Sequence, residues 1–120
     1  MGLTKVTTRL TSFVAPESSY EALFLVGTGA TDSMAPADEL EKIGITREGR
    51  MVYELVDGTV KEYAYGLVRI EFMGEVTAGR VIFGKAGSEP LLGVTALESV
   101  GIIVDPVHKT WRRLPAIPLK

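Results

Sequence analysis

The 120-residue sequence contains no cysteine. That one absence removes disulfides, thiolate nucleophiles and cysteine-held zinc together. Histidine occurs once, at His108, so no histidine-based metal cluster forms within one chain, and a Ser-His-Asp triad would depend on that residue alone. Long hydrophobic runs are missing too. The longest, Ala22–Val26, falls far short of the roughly 20 residues that a membrane span needs. No charged-then-apolar leader opens the chain, and Val6 stands where a myristoylation motif wants Ser or Thr. Neither sign of charge is in surplus: 13 basic against 15 acidic residues give a net charge of −2, which offers no basic surface for nucleic acid or an anionic membrane. The expectation is a cytoplasmic protein with no nucleic-acid partner and no membrane partner.

What is present is ordinary for a globular protein: 46% hydrophobic and 23% charged residues. The length fits a single domain, residues 1–120, that buries about two-thirds of its unfolded surface. The apolar period is mostly two. Lys5–Val14 reads as a β-branched strand, and Tyr20–Val26 as a strand turned apolar enough to be buried on both faces. Gly27–Ser33 is a glycine-bearing loop, and Pro36 opens a short helix, Ala37–Ile43, stopped by Gly44. Arg50–Val56 and Thr59–Tyr65 flank a two-residue Asp57-Gly58 link, a strong hairpin signal. Leu67–Met73 and Val76–Phe83 form a second hairpin about Gly74-Glu75. Val94–Val100 is a short helix after Leu91-Leu92-Gly93, and Ile102–Asp105 and Lys109–Leu114 are closing strands. Pro115 and Pro118 make the tail a poor sheet interior. The sum is an all-β barrel or sandwich with two short helices.

The loop after the second strand is the first chemical suspect. Gly27-x-Gly29 between a strand and a helix has the outline of a dinucleotide-binding turn. However, Asp32 stands where the third glycine belongs, its carboxylate would repel a pyrophosphate, and no parallel βαβ unit follows. Nucleotide binding is therefore the weakest of the readings.

A second likeness covers about residues 20 to 105. Ala22-Leu23-Phe24-Leu25-Val26-Gly27-Thr28-Gly29-Ala30-Thr31-Asp32-Ser33 resembles the active-site segment of retropepsin-like aspartic proteases, where an apolar strand runs into Asp-Thr-Gly-Ala. Leu91-Leu92-Gly93 before a short helix is similar to that family's second signature, and the Asp57-Gly58 hairpin lies between them where the family keeps its flap. The small prokaryotic members are the most similar. The resemblance implies a closed acid-protease barrel of retropepsin type, a homodimer with one site loop from each chain, and cleavage of peptide bonds in an extended peptide or protein substrate. It implies neither metal nor cofactor.

One departure is decisive for the chemistry. The family's catalytic aspartate falls on position 27, and this chain has Gly27. Two facing carboxylates share a proton because like charges so close cannot both ionise. The ionised one takes a proton from water while the other polarises the peptide carbonyl. With glycine at 27 in both copies, no acceptor remains, and the chain should be inert as it stands. Three accounts compete: a substitution in an otherwise active protease, a pseudoenzyme that keeps the peptide cleft, or a likeness of structure alone. Retention of Thr28, Gly29, Ala30, the hairpin and Leu91-Leu92-Gly93 favours the first.

The neighbours take roles by the same resemblance. Gly27 marks the catalytic position, Thr28 bonds across the dyad, and Gly29 permits a tight backbone path. Ala30, Thr31 and Asp32 lie beside the bound peptide, and Asp57, Gly58 and Thr59 cover it from the hairpin tip. The blander readings are a strand-end Thr28, a helix-capping Asp32 and a plain Asp-Gly turn. Asp32 sits beyond the turn and is not expected to replace the missing acid. His108 is expected to be exposed and without a role. Trp111 with Arg112-Arg113 marks either an interface or a solvated basic strand end. A non-catalytic peptide-binding or assembly module on the same barrel is the alternative function.

Overall fold

Alternating β-branched and apolar residues do form strands through most of the chain. In the computed structural model, residues 5–105, 107–108 and 110–119 are described. In chain order they form β1 (Lys5–Thr11), β2 (Ser19–Gly27), β3 (Ser33–Pro36), α1 (Ala37–Lys42), β4 (Gly49–Glu54), β5 (Val60–Phe72), β6 (Glu75–Gly84), β7 (Leu91–Gly93), α2 (Val94–Ser99), β8 (Ile102–Asp105) and β9 (Thr110–Arg113). The main sheet runs β1-β2-β7-β3-β6-β5, and β1 pairs again with β5, so these six strands close into a barrel. Closure removes the free edges that an open sheet would present. At the seam Arg9 lies directly opposite Glu71. Inside, Leu10, Phe24, Leu40, Ile70, Leu92, Leu97 and Ile102 are fully buried in one apolar cluster to which both helices contribute.

Three strands stand outside the barrel. β4 pairs with β5 alone and forms a projecting hairpin. β8 and β9 make a separate two-stranded sheet, pinned where Arg113 donates to the Met73 carbonyl at 2.7 Å and pairs with Glu75. Among the described residues, no helix is long and apolar enough to cross a membrane.

The differences from the sequence reading have local causes. β1 stops at Thr11 rather than Val14 because the Ser12 hydroxyl accepts the N–H groups of Val14 and Ala15, both at 3.2 Å, and turns the chain away. β2 is not buried on both faces: its exposure alternates, and Leu23 is 57% exposed. The strands expected at Thr59–Tyr65 and Leu67–Met73 are a single strand, β5, whose first half pairs with β4 and whose second half pairs with β6 and β1. β3 and β7 were hidden in stretches read as loop and lead-in; three or four residues are too few to show a period. The second hairpin turns at Met73-Gly74, both with positive φ, one residue earlier than expected. Of the last expected strand, Lys109 lies outside the described residues, and β9 covers Thr110–Arg113.

Candidate functional site

Two segments far apart in sequence meet in the sheet. β2 and β7 pair in parallel, with Leu25 opposite Leu91, Val26 opposite Leu92 and Gly27 opposite Gly93. The loop that follows β2 folds back at once, with the Ala30 N–H donating to the Gly27 carbonyl at 2.9 Å. It then serves the second segment. The N–H groups of Val94 and Thr95 donate to the carbonyls of Ala30 and Thr31 at 2.8 and 3.1 Å. These are orphan donors of the first turn of α2, which has no side-chain cap, so the loop satisfies them instead. The buried Ser33 hydroxyl accepts the Gly93 N–H at 2.9 Å and completes the junction.

Glycine has different reasons at the different positions. A Cβ on Gly93 would lie 2.7 Å from the Asp32 carbonyl oxygen and 2.8 Å from the Ser33 nitrogen, so the backbones approach too closely for any side chain. Gly27 is otherwise. Its φ is outside the left-handed region, and what a Cβ would meet is mainly the Leu91 side chain, at 2.7 Å from Cδ1. The backbone at position 27 thus accepts an L residue once Leu91 turns aside. Gly29 corrects the sequence reading: its φ is not left-handed and a Cβ there meets nothing within 4 Å, so the fold of one chain does not require glycine for a tight path.

Thr28 and Gly29 are exposed at the head of the loop, Ala30 is half-buried and Thr31 exposed. Among the described residues, the Thr28 hydroxyl has no hydrogen-bond partner within the chain. Asp32 is not a helix cap, since Pro36 occupies the N-cap of α1. Its side chain, 11% exposed, accepts the Tyr53 hydroxyl at 2.5 Å and lies 3.7 Å from the Arg80 guanidinium. Arg80 in turn sits 4.8 Å over the Tyr65 ring. Burial, followed by the Asp32 bond and charge, pushes the Tyr53 phenol up to about 12, with Arg80 opposing. The hydroxyl therefore stays protonated and donates at any ordinary pH.

Asp57, Gly58 and Thr59 are exposed at the hairpin tip. The link is longer than two residues: the Leu55 N–H donates to the Thr59 carbonyl at 2.7 Å and the Gly58 N–H to the Leu55 carbonyl at 2.9 Å. Gly58 alone takes a left-handed φ, of 87°. The loop is therefore Val56-Asp57-Gly58, a type I turn finished by a left-handed glycine. Thr59 donates to Asp57 from both its amide and its hydroxyl, at 3.0 and 2.7 Å, and these bonds hold the Asp57 carboxyl below its usual range. The tip thus makes its own hydrogen bonds, while Asp32 is reached from Tyr53, the next-to-last residue of β4.

Tyr53 and Arg80 are the site residues that sequence reasoning missed. Tyr53 lies in a half-exposed strand, and nothing along the chain pairs it with Asp32; only the hairpin's fold over the loop does. The two larger surface hollows are lined by residues such as Arg9, Ser12, Arg69, Glu71 and Val76, and contain none of the predicted site residues. A small cleft does adjoin Thr31, Asp32, Arg80 and Thr95. His108 is exposed, with Nδ1 2.6 Å from the Asp105 carboxylate. Arg113 is no free basic residue, being engaged as described and lying 5.6 Å from the Trp111 ring centroid.

No family model matches the sequence, and no curated protein matches it. Among solved structures it is similar to the Simian Foamy Virus (mac) protease in solution, at a TM-score of 0.55 and 14% identity over 78% of this chain and 91% of that one. It is also similar to the retroviral protease-like domain of Ddi1 from Leishmania major, at a TM-score of 0.55 and 15% identity over 97% of this chain and 91% of that one. At such identities the likeness is one of fold: the chain has the retropepsin-like barrel.

Proposed function

We propose that this chain is one half of a retropepsin-type aspartic endopeptidase whose catalytic step is switched off by Gly27. The observation that carries the reading is the parallel junction of Gly27 with Gly93, which fixes position 27 at the head of the β2 loop, the loop whose Asp32 the β4–β5 hairpin reaches through Tyr53. Two copies related by a two-fold axis would bring two such positions together across one trench. With aspartate at 27, the pair would share a proton, activate water and polarise a peptide carbonyl. An extended peptide would lie between the loop and the hairpin and gain strand-like main-chain bonds. With glycine at 27 the trench keeps its peptide-binding features and lacks the proton acceptor.

The test is Gly27→Asp, assayed with an unfolded protein substrate from acidic to neutral pH. The backbone there takes a side chain, and Leu91 must turn away to admit it. The expected result is cleavage that an inhibitor mimicking the tetrahedral transition state abolishes, against none in the parent chain. A folded, dimeric Gly27→Asp protein that never cleaves would reject the peptidase reading. The second reading, a non-catalytic peptide-binding or assembly module, is favoured by Gly27 itself. It predicts that the parent chain binds extended peptides and that Gly27→Asp changes nothing but their affinity.

A further inference from the structure

We propose that Tyr53, Asp32 and Arg80 form a strap that ties the hairpin down onto the loop, with Tyr53 as the residue that sets the height of the peptide trench. This deepens the function proposed above, and rests on it only for the identity of what passes beneath the hairpin.

The argument begins with the hairpin. β4 is joined to the sheet by β5 alone, and residues 54–62 are exposed throughout. A two-stranded ribbon is at best marginally stable by itself, so tertiary contacts decide where it lies. Among the described residues 50–62, side-chain hydrogen bonds stay within the hairpin, as in Arg50 to Glu62 and Thr59 to Asp57, with a single exception. The exception is the Tyr53 hydroxyl on Asp32 Oδ2, at 2.5 Å. A phenol donating to a carboxylate in a half-buried setting is a charge-assisted bond, about twice as strong as a neutral one.

The acceptor is held rigidly. The Asp32–Ser33 peptide is packed against Gly93, and the Ser33 hydroxyl is bonded to the Gly93 amide. Arg80 approaches the same oxygen at 3.7 Å from β6 and stacks on Tyr65, which pairs with both Gly49 and Ile82 at the root of the hairpin. One carboxylate oxygen is therefore tied to the projecting strand through the Tyr53 phenol and lies beside the hairpin's root through the Arg80 guanidinium. Asp32 is in this way already engaged within its own chain. A peptide must either fit beside the Tyr53 ring, which favours small side chains there, or displace the phenol before the hairpin lifts.

Tyr53→Phe keeps the ring and deletes only the bond. Hydrogen exchange of the native dimer or monomer, followed residue by residue at neutral pH, is the readout. About a tenfold faster exchange of amides 50–60 is expected, with the amides of β1, β2 and β6 unchanged. Asp32→Asn, which keeps an acceptor but removes its charge, should give a smaller rise over the same residues, and it provides the comparison should Tyr53→Phe not fold. Exchange within twofold of the parent at 50–60 would overturn the strap, as would acceleration spread evenly through the barrel. Neither readout needs catalysis, so the strap fails or stands independently of the Gly27→Asp assay.

Discussion

At Gly93 a methyl group would stand 2.7 Å from the Asp32 carbonyl oxygen, an atom that cannot yield without moving the loop. At Gly29 the same methyl would meet nothing within 4 Å, on a backbone any residue can adopt. The two variants should therefore diverge. Gly93→Ala is expected to cost about 2–4 kcal/mol, as strain at a close backbone approach does. Gly29→Ala is expected to be neutral or to stabilise by about 0.4–1 kcal/mol by narrowing the unfolded ensemble. Urea unfolding of both variants beside the parent decides it, and equal losses would contradict the packing described for Gly93. This contrast also shows where residue-level legibility ends. Gly27-Thr28-Gly29 and Leu91-Leu92-Gly93 were visible as motifs, and the structure sets Gly27 and Gly93 side by side. The need for glycine at 93, and the lack of one at 29, were not visible, because the need at Gly93 is set by the Asp32–Ser33 backbone, with Ser33 60 residues away in the chain. Tyr53 illustrates the same limit, since its partner Asp32 is defined by the hairpin's path and not by any spacing in the chain.

Among the elements, most of those that could be read were long enough to show a period, though β8 was read at Ile102–Asp105 from four residues. β1, β2, β6 and both helices lie close to where alternation and Gly-Pro punctuation put them. β5 was split at Gly66 because glycine reads as a break, yet pairing with β4 and then β6 carries the strand straight through. The barrel's closing seam is where an element's electrostatics become measurable. Arg9 on β1 bonds Glu71 on β5 at 2.8 Å and Arg69 approaches it at 3.3 Å. The Arg9 bond, ahead of the added charge attraction, holds the Glu71 carboxyl below its ordinary 4.5. A carboxyl lowered in the folded state binds protons more readily unfolded. Its stabilisation is therefore full above about pH 4.5 and is lost as pH falls through the lower folded value. Asp57 and Asp105 are lowered as well, by bonds from Thr59 and His108, and add to the same slope. The urea midpoint of the parent chain should thus fall between pH 7 and pH 3. Glu71→Gln should shrink that fall without abolishing it. An unchanged difference between the two pH values would show that the seam pair contributes nothing in solution.

At the scale of the molecule, the proposed trench needs a second chain to supply its other wall, and the larger hollows of the single chain lie elsewhere on the barrel. Exposed apolar side chains gather in two places: Met51, Val52, Leu55, Val56 and Val60 on the β4–β5 hairpin, and Val107, Trp111, Ile117 and Leu119, 80, 37, 52 and 98% exposed, on the C-terminal hairpin and tail. Pro115 and Pro118 deny that tail a regular ladder, so contact there would rest on side-chain burial more than on strand exchange. If two chains supply one site, the active species of Gly27→Asp is the dimer and nothing smaller. Its activity per chain must then rise with protein concentration and level off as the dimer saturates, following the same midpoint that sedimentation gives for association. Trp111→Ala should move both midpoints to higher concentration together, because removing a buried aromatic at an interface weakens association by about 2 kcal/mol or more when it lies at the centre. Activity per chain that stays flat across a range in which sedimentation shows monomer would mean that one chain suffices, and the two-fold trench would have to be abandoned.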